Sequence, residues 1–374
     1  MSLGALDRPL VVVVGGGGVG KTTFAAALGL ASAREGTDTL VMTFDPSERL
    51  KDALGVGAAA RGTEVRVACD TPGRLDASLL DPRATFDRLI RRYAPDEASC
   101  RRILENRFYR HLGGSLAGIL EYMAVERLFE VDAERRYGRV ILDTPPTRQA
   151  LDFLEAPDRM LAFLESGALK VALRRWFDDR GRLRATAHLA GIGRGVEALL
   201  DHVVGLDLLR DMAEFFQIWA PLYDGFKGRA RTVQALLRAK GTVFVLVTGP
   251  GEERIADALF FARRLGEAGM RLGPIVVNRV HPAPDPAAVE GGRADPGAAG
   301  LQLFAWLAAR DARGLARLRG LLSTGDLLVA LPLLARAPTS LEALEAMGSL
   351  LLGELAAAGP ARPPRRLPRR GKTA

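Results

Sequence analysis

The chain has 374 residues, 48% hydrophobic and 26% charged, a composition that suits a folded protein of one large or two ordinary domains. No run approaches the ~18 uncharged apolar residues that cross a bilayer, and Cys69 and Cys100 are too far apart for a CxxC pair. The four histidines lack neighbours at metal-ligand spacing, so no zinc site is expected.

The first apolar stretch, residues 10–14, runs straight into glycines. It reads as a buried parallel strand rather than a signal peptide, and a cytoplasmic location is expected. Residues 22–34 have helical spacing and many alanines. Further apolar strands are predicted over 39–45, 139–146, 242–250, 273–280 and 326–334, with helical patterns between most of them. Strands apolar on both faces that alternate with helices predict an α/β fold with a mainly parallel sheet flanked by helices.

Two gaps, about 82–136 and 155–240, are too long for one crossover helix. Their apolar residues recur at helical intervals, which predicts two helical insertions forming a subdomain gathered at one edge of the sheet. The second contains Trp176, Phe215, Phe216, Trp219 and Phe226, either as helix core or as a groove for a client. The main domain is thus expected over 1–355. Residues 356–374 are expected to be a disordered, basic, Pro-rich tail. Arg362, Arg365, Arg366, Arg369, Arg370 and Lys372 account for all but two of the net charge of +8. The body is therefore nearly neutral and no nucleic-acid partner is expected. The tail is either a solvated end or an electrostatic tether.

The chemistry is concentrated in "GGGGVGKTT", residues 15–23. Gly15, four residues, then Gly20, Lys21 and Thr22 fit the phosphate-loop pattern between a strand and a helix. Gly15, Gly16, Gly17, Gly18, Val19 and Gly20 would turn backbone amides inward around phosphate oxygens, with no Cβ in the way for the glycines. The helix that follows adds its positive end, at Thr23 and its neighbours. Lys21 would reach the β and γ phosphates and Thr22 would place a hydroxyl on Mg²⁺. This makes a nucleoside triphosphate with Mg²⁺ the expected ligand of a P-loop NTPase.

The same stretch resembles the deviant Walker A loop "KGGVGKTT" of the SIMIBI ATPases. Within that class it is most similar to the arsenite-pump ATPase and the ATPase that targets tail-anchored membrane proteins. "TFDPSERLKDALG", residues 43–55, resembles that family's switch I, and "LDTPPTRQALDFLEAP", residues 142–157, resembles its switch II. "VVNRV", residues 276–280, resembles its base-binding segment. The resemblance implies that Asp143 holds the Mg²⁺ shell through water and that Asp52 positions or deprotonates the attacking water. It also implies that Asp45 serves the metal and γ-phosphate side, that Pro146 and Thr147 act in the switch, and that Asn278 bonds the adenine edge. A guanine-reading segment would need a carboxylate three residues after that asparagine; position 281 is His, which favours ATP over GTP.

The resemblance implies a dimeric ATPase that couples nucleotide state to a protein or membrane-protein client. Three departures qualify this. The family's signature lysine, which reaches the partner's nucleotide, is replaced by Gly16, so a heterodimer with a lysine-bearing paralogue is expected in preference to a homodimer. Pro145 and Arg148 replace small residues of switch II. The clustered thiols needed for arsenite, the zinc CxxC clasp and the methionine-rich groove are all missing. The alternatives are a catalytically weak, ATP-binding scaffold subunit and a positioning ATPase of the MinD/ParA type. The tail's prolines argue against the amphipathic helix used by the latter.

Overall fold

The structure is a computed structural model; it describes residues 3–45, 47, 49–106, 109, 119–165, 222–287, 298–322 and 326–358. Trp176, Phe215, Phe216 and Trp219, the tail from Gly359, Pro46, and the side chains of Thr147 and Arg148 lie outside the described residues. The chain divides into two compact units.

The first unit comprises residues 1–80, 135–151 and 236–374. In chain order it contains β1 (Leu10–Gly15), α1 (Lys21–Arg34), β2 (Thr39–Thr43), α2 (Arg49–Leu54), β3 (Val65–Arg66) and β4 (Leu75–Leu79). All of β1, β2 and β4 is buried, as expected for strands covered on both faces. β5 (Arg139–Asp143) lies in sequence between the two segments of the second unit, and after them come β6 (Thr242–Thr248), α8 (Glu252–Glu267), β7 (Leu272–Val280), α9 (Ala298–Leu321), β8 (Leu328–Pro332) and α10 (Leu341–Ala357).

The eight strands form one sheet in the order β3-β4-β2-β5-β1-β6-β7-β8. Every pairing is parallel except that of the short β3 with β4. β1 lies between β5 and β6, with Val13 opposite Asp143 on one side and Gly15 opposite Val247 on the other. The chain builds outward on one side of β1, returns through β5, and then builds outward on the other. The C-terminal end of β1 is therefore the switch point where open α/β sheets hold their ligands.

Two strands, β3 and β4, went unrecognised in the sequence. β4 carries Asp76, fully buried, as the second of its five residues, and this charge interrupts the apolar run. The carboxylate is satisfied in the fold. Arg74 donates to it from Nε at 2.9 Å and also from Nη2, and the Tyr137 hydroxyl donates at 2.7 Å. Burial pushes the Asp76 carboxyl up, but Arg74 and Tyr137 together bring it below its ordinary value.

The second unit comprises residues 81–134 and 152–235. Its described part is helical: α3 (Pro82–Tyr93), α4 (Glu97–Glu105), α5 (Ile119–Glu134), the latter part of α6 (Thr147–Glu165) and most of α7 (Tyr223–Arg238). Asp81 and Asp96 cap α3 and α4, accepting from the amides of Ala84 at 2.9 Å and Ser99 at 2.7 Å. Phe226 is buried in this unit's core with Phe86, Ile90 and Tyr109. Among the described residues no helix is long and apolar enough to cross a membrane.

Candidate functional site

The loop after β1 is built on three glycine conformations. Gly15, at φ 149°, lies so close to β6 that a Cβ would stand 1.9 Å from the Val247 carbonyl oxygen. Gly18 and Gly20 have φ of 73° and 94°. Left-handed backbone of this kind turns successive amides toward one point, the arrangement that cradles anions. Gly20 is also the N-cap of α1 and brings no side-chain acceptor, so the first amides of that helix are left for an anion to occupy.

Lys21 begins α1 and is buried, with Nζ donating to the Gly16 carbonyl at 2.9 Å. Burial pushes its ammonium pKa down, against the opposing pull of Asp143 and Asp45. Thr22, one residue on, donates its hydroxyl to Asp143 Oδ2 at 2.8 Å. Thr43, at the end of β2, donates to the same oxygen at 2.9 Å. The parallel register that sets Thr43 beside Asp143 and Asp143 beside Val13 brings these residues together from far apart in sequence.

Asp143 is fully buried, and its other oxygen, Oδ1, has no hydrogen-bond partner. Burial pushes its carboxyl up to about 6, despite the two threonine hydroxyls and Lys21. An orphaned carboxylate oxygen beside two hydroxyls is an all-oxygen donor set suited to a hard cation such as Mg²⁺. No group of three or more His, Cys, Asp or Glu able to hold a metal occurs among the described residues. This fits Mg²⁺, which usually takes one or two protein oxygens and completes its shell with phosphates and water.

The other sequence candidates fall around this centre. Asp45 is half-buried and its Oδ1 accepts from the Ser47 amide at 2.8 Å, an Asx turn that shapes the loop after β2. Pro146 is exposed beside Gly17, where a Cβ would lie 3.9 Å from its own. Asp52 is exposed on α2 and makes no hydrogen bond among the described residues. Asn278 is buried at the end of β7; its amide nitrogen donates to the Val19 carbonyl at 2.9 Å and its oxygen accepts from the Arg279 amide. It therefore supports the loop from behind while lining a cavity of about 230 Å³ with Gly20, Thr23, Leu331, Pro338 and Met347. His281, in the loop after β7, is tied to Asp311: its amide and its Nδ1 both bond Asp311 Oδ2, the ring at 2.6 Å.

Sequence reasoning missed three contributors. Thr43 could have been noticed as the last residue of a strand entering the "DP" turn. Arg254 donates to the Gly17 carbonyl at 2.9 Å and Arg279 to the Gly18 carbonyl at 3.1 Å. Nothing in their local sequence marks them, because they reach the loop only through the ordering of β6 and β7 beside β1.

A buried strand, a left-handed glycine turn, and a Lys-Thr helix start facing a strand-end aspartate define the P-loop nucleotide-binding class on a mostly parallel α/β sheet. Residues 9–187 match the family model of the anion-transporting ATPases. It is similar to protein SCO2128 of Streptomyces coelicolor, at 29% identity over 74% of this chain and 64% of that protein. It also resembles the ATPase ASNA1 homolog 1 of Paramecium tetraurelia, 29% identical over 44% of this chain and 47% of the relative. The ATPase ARSA2 of Chlamydomonas reinhardtii is 29% identical over 55% of each. The matches span less than two thirds of each of these relatives' own length.

Proposed function

We propose that the chain binds Mg·ATP at the β1–α1 loop and hydrolyses it. The observation that carries this reading is the cluster of buried Lys21, Thr43 and Asp143 with half-buried Thr22 at the sheet's switch point, with one carboxylate oxygen unsatisfied. Lys21 would exchange the Gly16 carbonyl for phosphate oxygens, and the loop amides would hold the β phosphate. Thr22 would bind Mg²⁺ directly and Asp143 through water, with Asp45 on the same side. Bound Mg²⁺ would neutralise charge on the phosphates. Asn278 and the cavity it lines would receive the base, and Pro146 and Thr147 would respond to the terminal phosphate.

Calorimetry tests the metal cluster. Wild type should bind ATP more tightly with Mg²⁺ than without. Asp143→Asn should lose most of that increment, because the amide offers one acceptor where the carboxylate offers two, while keeping Mg-free binding within about threefold. Equal Mg²⁺ dependence in both proteins would refute the assignment.

Asp52 is proposed as the group that orients the attacking water once the segment after β2 encloses the nucleotide. Asp52→Asn should lower turnover by roughly 10²-fold with little change in ATP affinity. An unchanged rate would remove Asp52 from the mechanism, and a negligible rate in both proteins would favour an ATP-binding scaffold.

The resemblance further suggests pairing, as a homodimer or with a lysine-bearing paralogue, and a protein or membrane-protein client. Light scattering with and without Mg·ATP reads the pairing; a mass that stays monomeric in both would count against it.

A further inference from the structure

Two arginines touch the nucleotide loop, and both occupy positions that local energetics disfavour. Arg254 lies in the first turn of α8, the positive end of the helix dipole, where a cation is repelled. Arg279 has φ 62°, a left-handed conformation that non-glycine residues seldom adopt. Neither forms an ion pair with a carboxylate among the described residues. Each instead donates to a loop carbonyl, Arg254 to Gly17 and Arg279 to Gly18.

Their surroundings differ. Arg279 lines the cavity with Asn278 and Thr23, the one proposed above to receive the base. Arg254 is at the other end, on the residue next to Gly16, whose carbonyl holds the Lys21 ammonium. Its backbone is fixed there because the Thr248 hydroxyl, at the end of β6, donates to the Arg254 carbonyl at 3.0 Å. The guanidinium is near enough to Lys21 to contribute to its lowered pKa. A guanidinium has five N–H donors, and one of Arg254's is used on Gly17, so others remain for an anion.

We propose that Arg254 is a catalytic cation supplied in cis, taking the part for which position 16 provides no charge. With Mg·ATP in the loop, its guanidinium contacts the γ-phosphoryl oxygens. Water attacks the γ phosphorus and the bond from that phosphorus to the β–γ bridging oxygen breaks. ADP leaves with the bonding electron pair, and the water proton passes to solvent or to the phosphate released. Arg254 transfers no proton; it offsets the charge that accumulates on the oxygens as the bond breaks. This inference rests on the ATPase reading, and it removes the need for a lysine from a partner subunit.

The test compares full-length wild type, Arg254→Ala, Arg254→Lys and, as a control on the same helix, Arg263→Ala. Turnover is measured for each chain alone. Affinity for Mg·ADP is measured with and without aluminium fluoride, which mimics the phosphoryl group in transfer. Arg254→Ala should lower turnover by on the order of 10²–10³-fold. It should also abolish the tighter binding that aluminium fluoride confers, with Mg·ADP affinity changed less than about threefold. Arg254→Lys, which keeps the charge but loses the fork, should recover part of both; it also serves if the alanine variant folds poorly. Arg263→Ala should match wild type. A lone wild-type chain that binds Mg·ATP but turns it over no faster than Arg254→Ala, or only when a lysine-bearing paralogue is added, overturns the inference and leaves the ATP-binding reading intact. A wild-type chain that binds no Mg·ATP overturns that reading as well.

Discussion

Gly15→Ala should destabilise the sheet unit by about 3 kcal/mol or more, a loss of roughly 6–12 °C in melting temperature. The cause is geometric. The added Cβ would sit 1.9 Å from the Val247 carbonyl oxygen and 3.0 Å from its carbon, both backbone atoms of a buried neighbouring strand. No rotamer change relieves a clash with backbone, so β1 and β6 must separate at the point where Gly15 pairs with Val247. The φ of 149° adds strain for any side chain. A thermal melt followed by near-ultraviolet circular dichroism measures the loss. Gly57→Ala is the matched control: that glycine has φ −73° and open space around its Cβ position, so the change should lie within about 0.5 kcal/mol of wild type. Similar melting of the two variants would show that the β1–β6 approach is looser than described.

Lys21→Ala should separate stability from function. In the ligand-free protein the ammonium is buried on a single carbonyl, and burial depresses its pKa. Removing the charge therefore deletes one hydrogen bond and also an unfavourable desolvation, so the melting temperature should stay within about 2 °C of wild type or rise slightly. Nucleotide binding should behave in the opposite way. Loss of a charge-assisted bond to phosphate, worth ~1.5–3 kcal/mol, should weaken Mg·ATP by roughly 10- to 100-fold. Turnover should fall by a further ~10²-fold or more, because the charge on the transferring group peaks in the transition state. Parallel calorimetry, melting and turnover measurements check all three. A variant that melts far lower but binds normally would make Lys21 a structural residue.

Much of this architecture follows from local patterns. Residues 10–14 read as a strand buried on both faces, and the glycines with Lys21 and Thr22 as a phosphate turn entering a helix, because each pattern has one cheap conformation. Asp143 was legible for a related reason, a single carboxylate ending an apolar strand. Asp76 sent the opposite signal. A charge within a short apolar segment reads as a break, and only Arg74 and the Tyr137 hydroxyl, contributed by the fold, allow it to be buried. Of the aromatic residues of the second insertion, Phe226 is core, in one cluster with Phe86 and Ile90.

The sequence by itself determined the nucleotide turn, the parallel sheet that carries it and the match of residues 9–187 to the anion-transporting ATPase model. Those depend on periodicity and on glycine's freedom, which operate over a few neighbouring residues. Only the tertiary structure decided that Thr43 shares Asp143 Oδ2 with Thr22, that Asn278 braces Val19, and that Arg254 and Arg279 reach the loop carbonyls. These contacts join residues 100 or more positions apart. They arise because strand order, which no local pattern encodes, sets β5 on one side of β1 and β6 followed by β7 on the other.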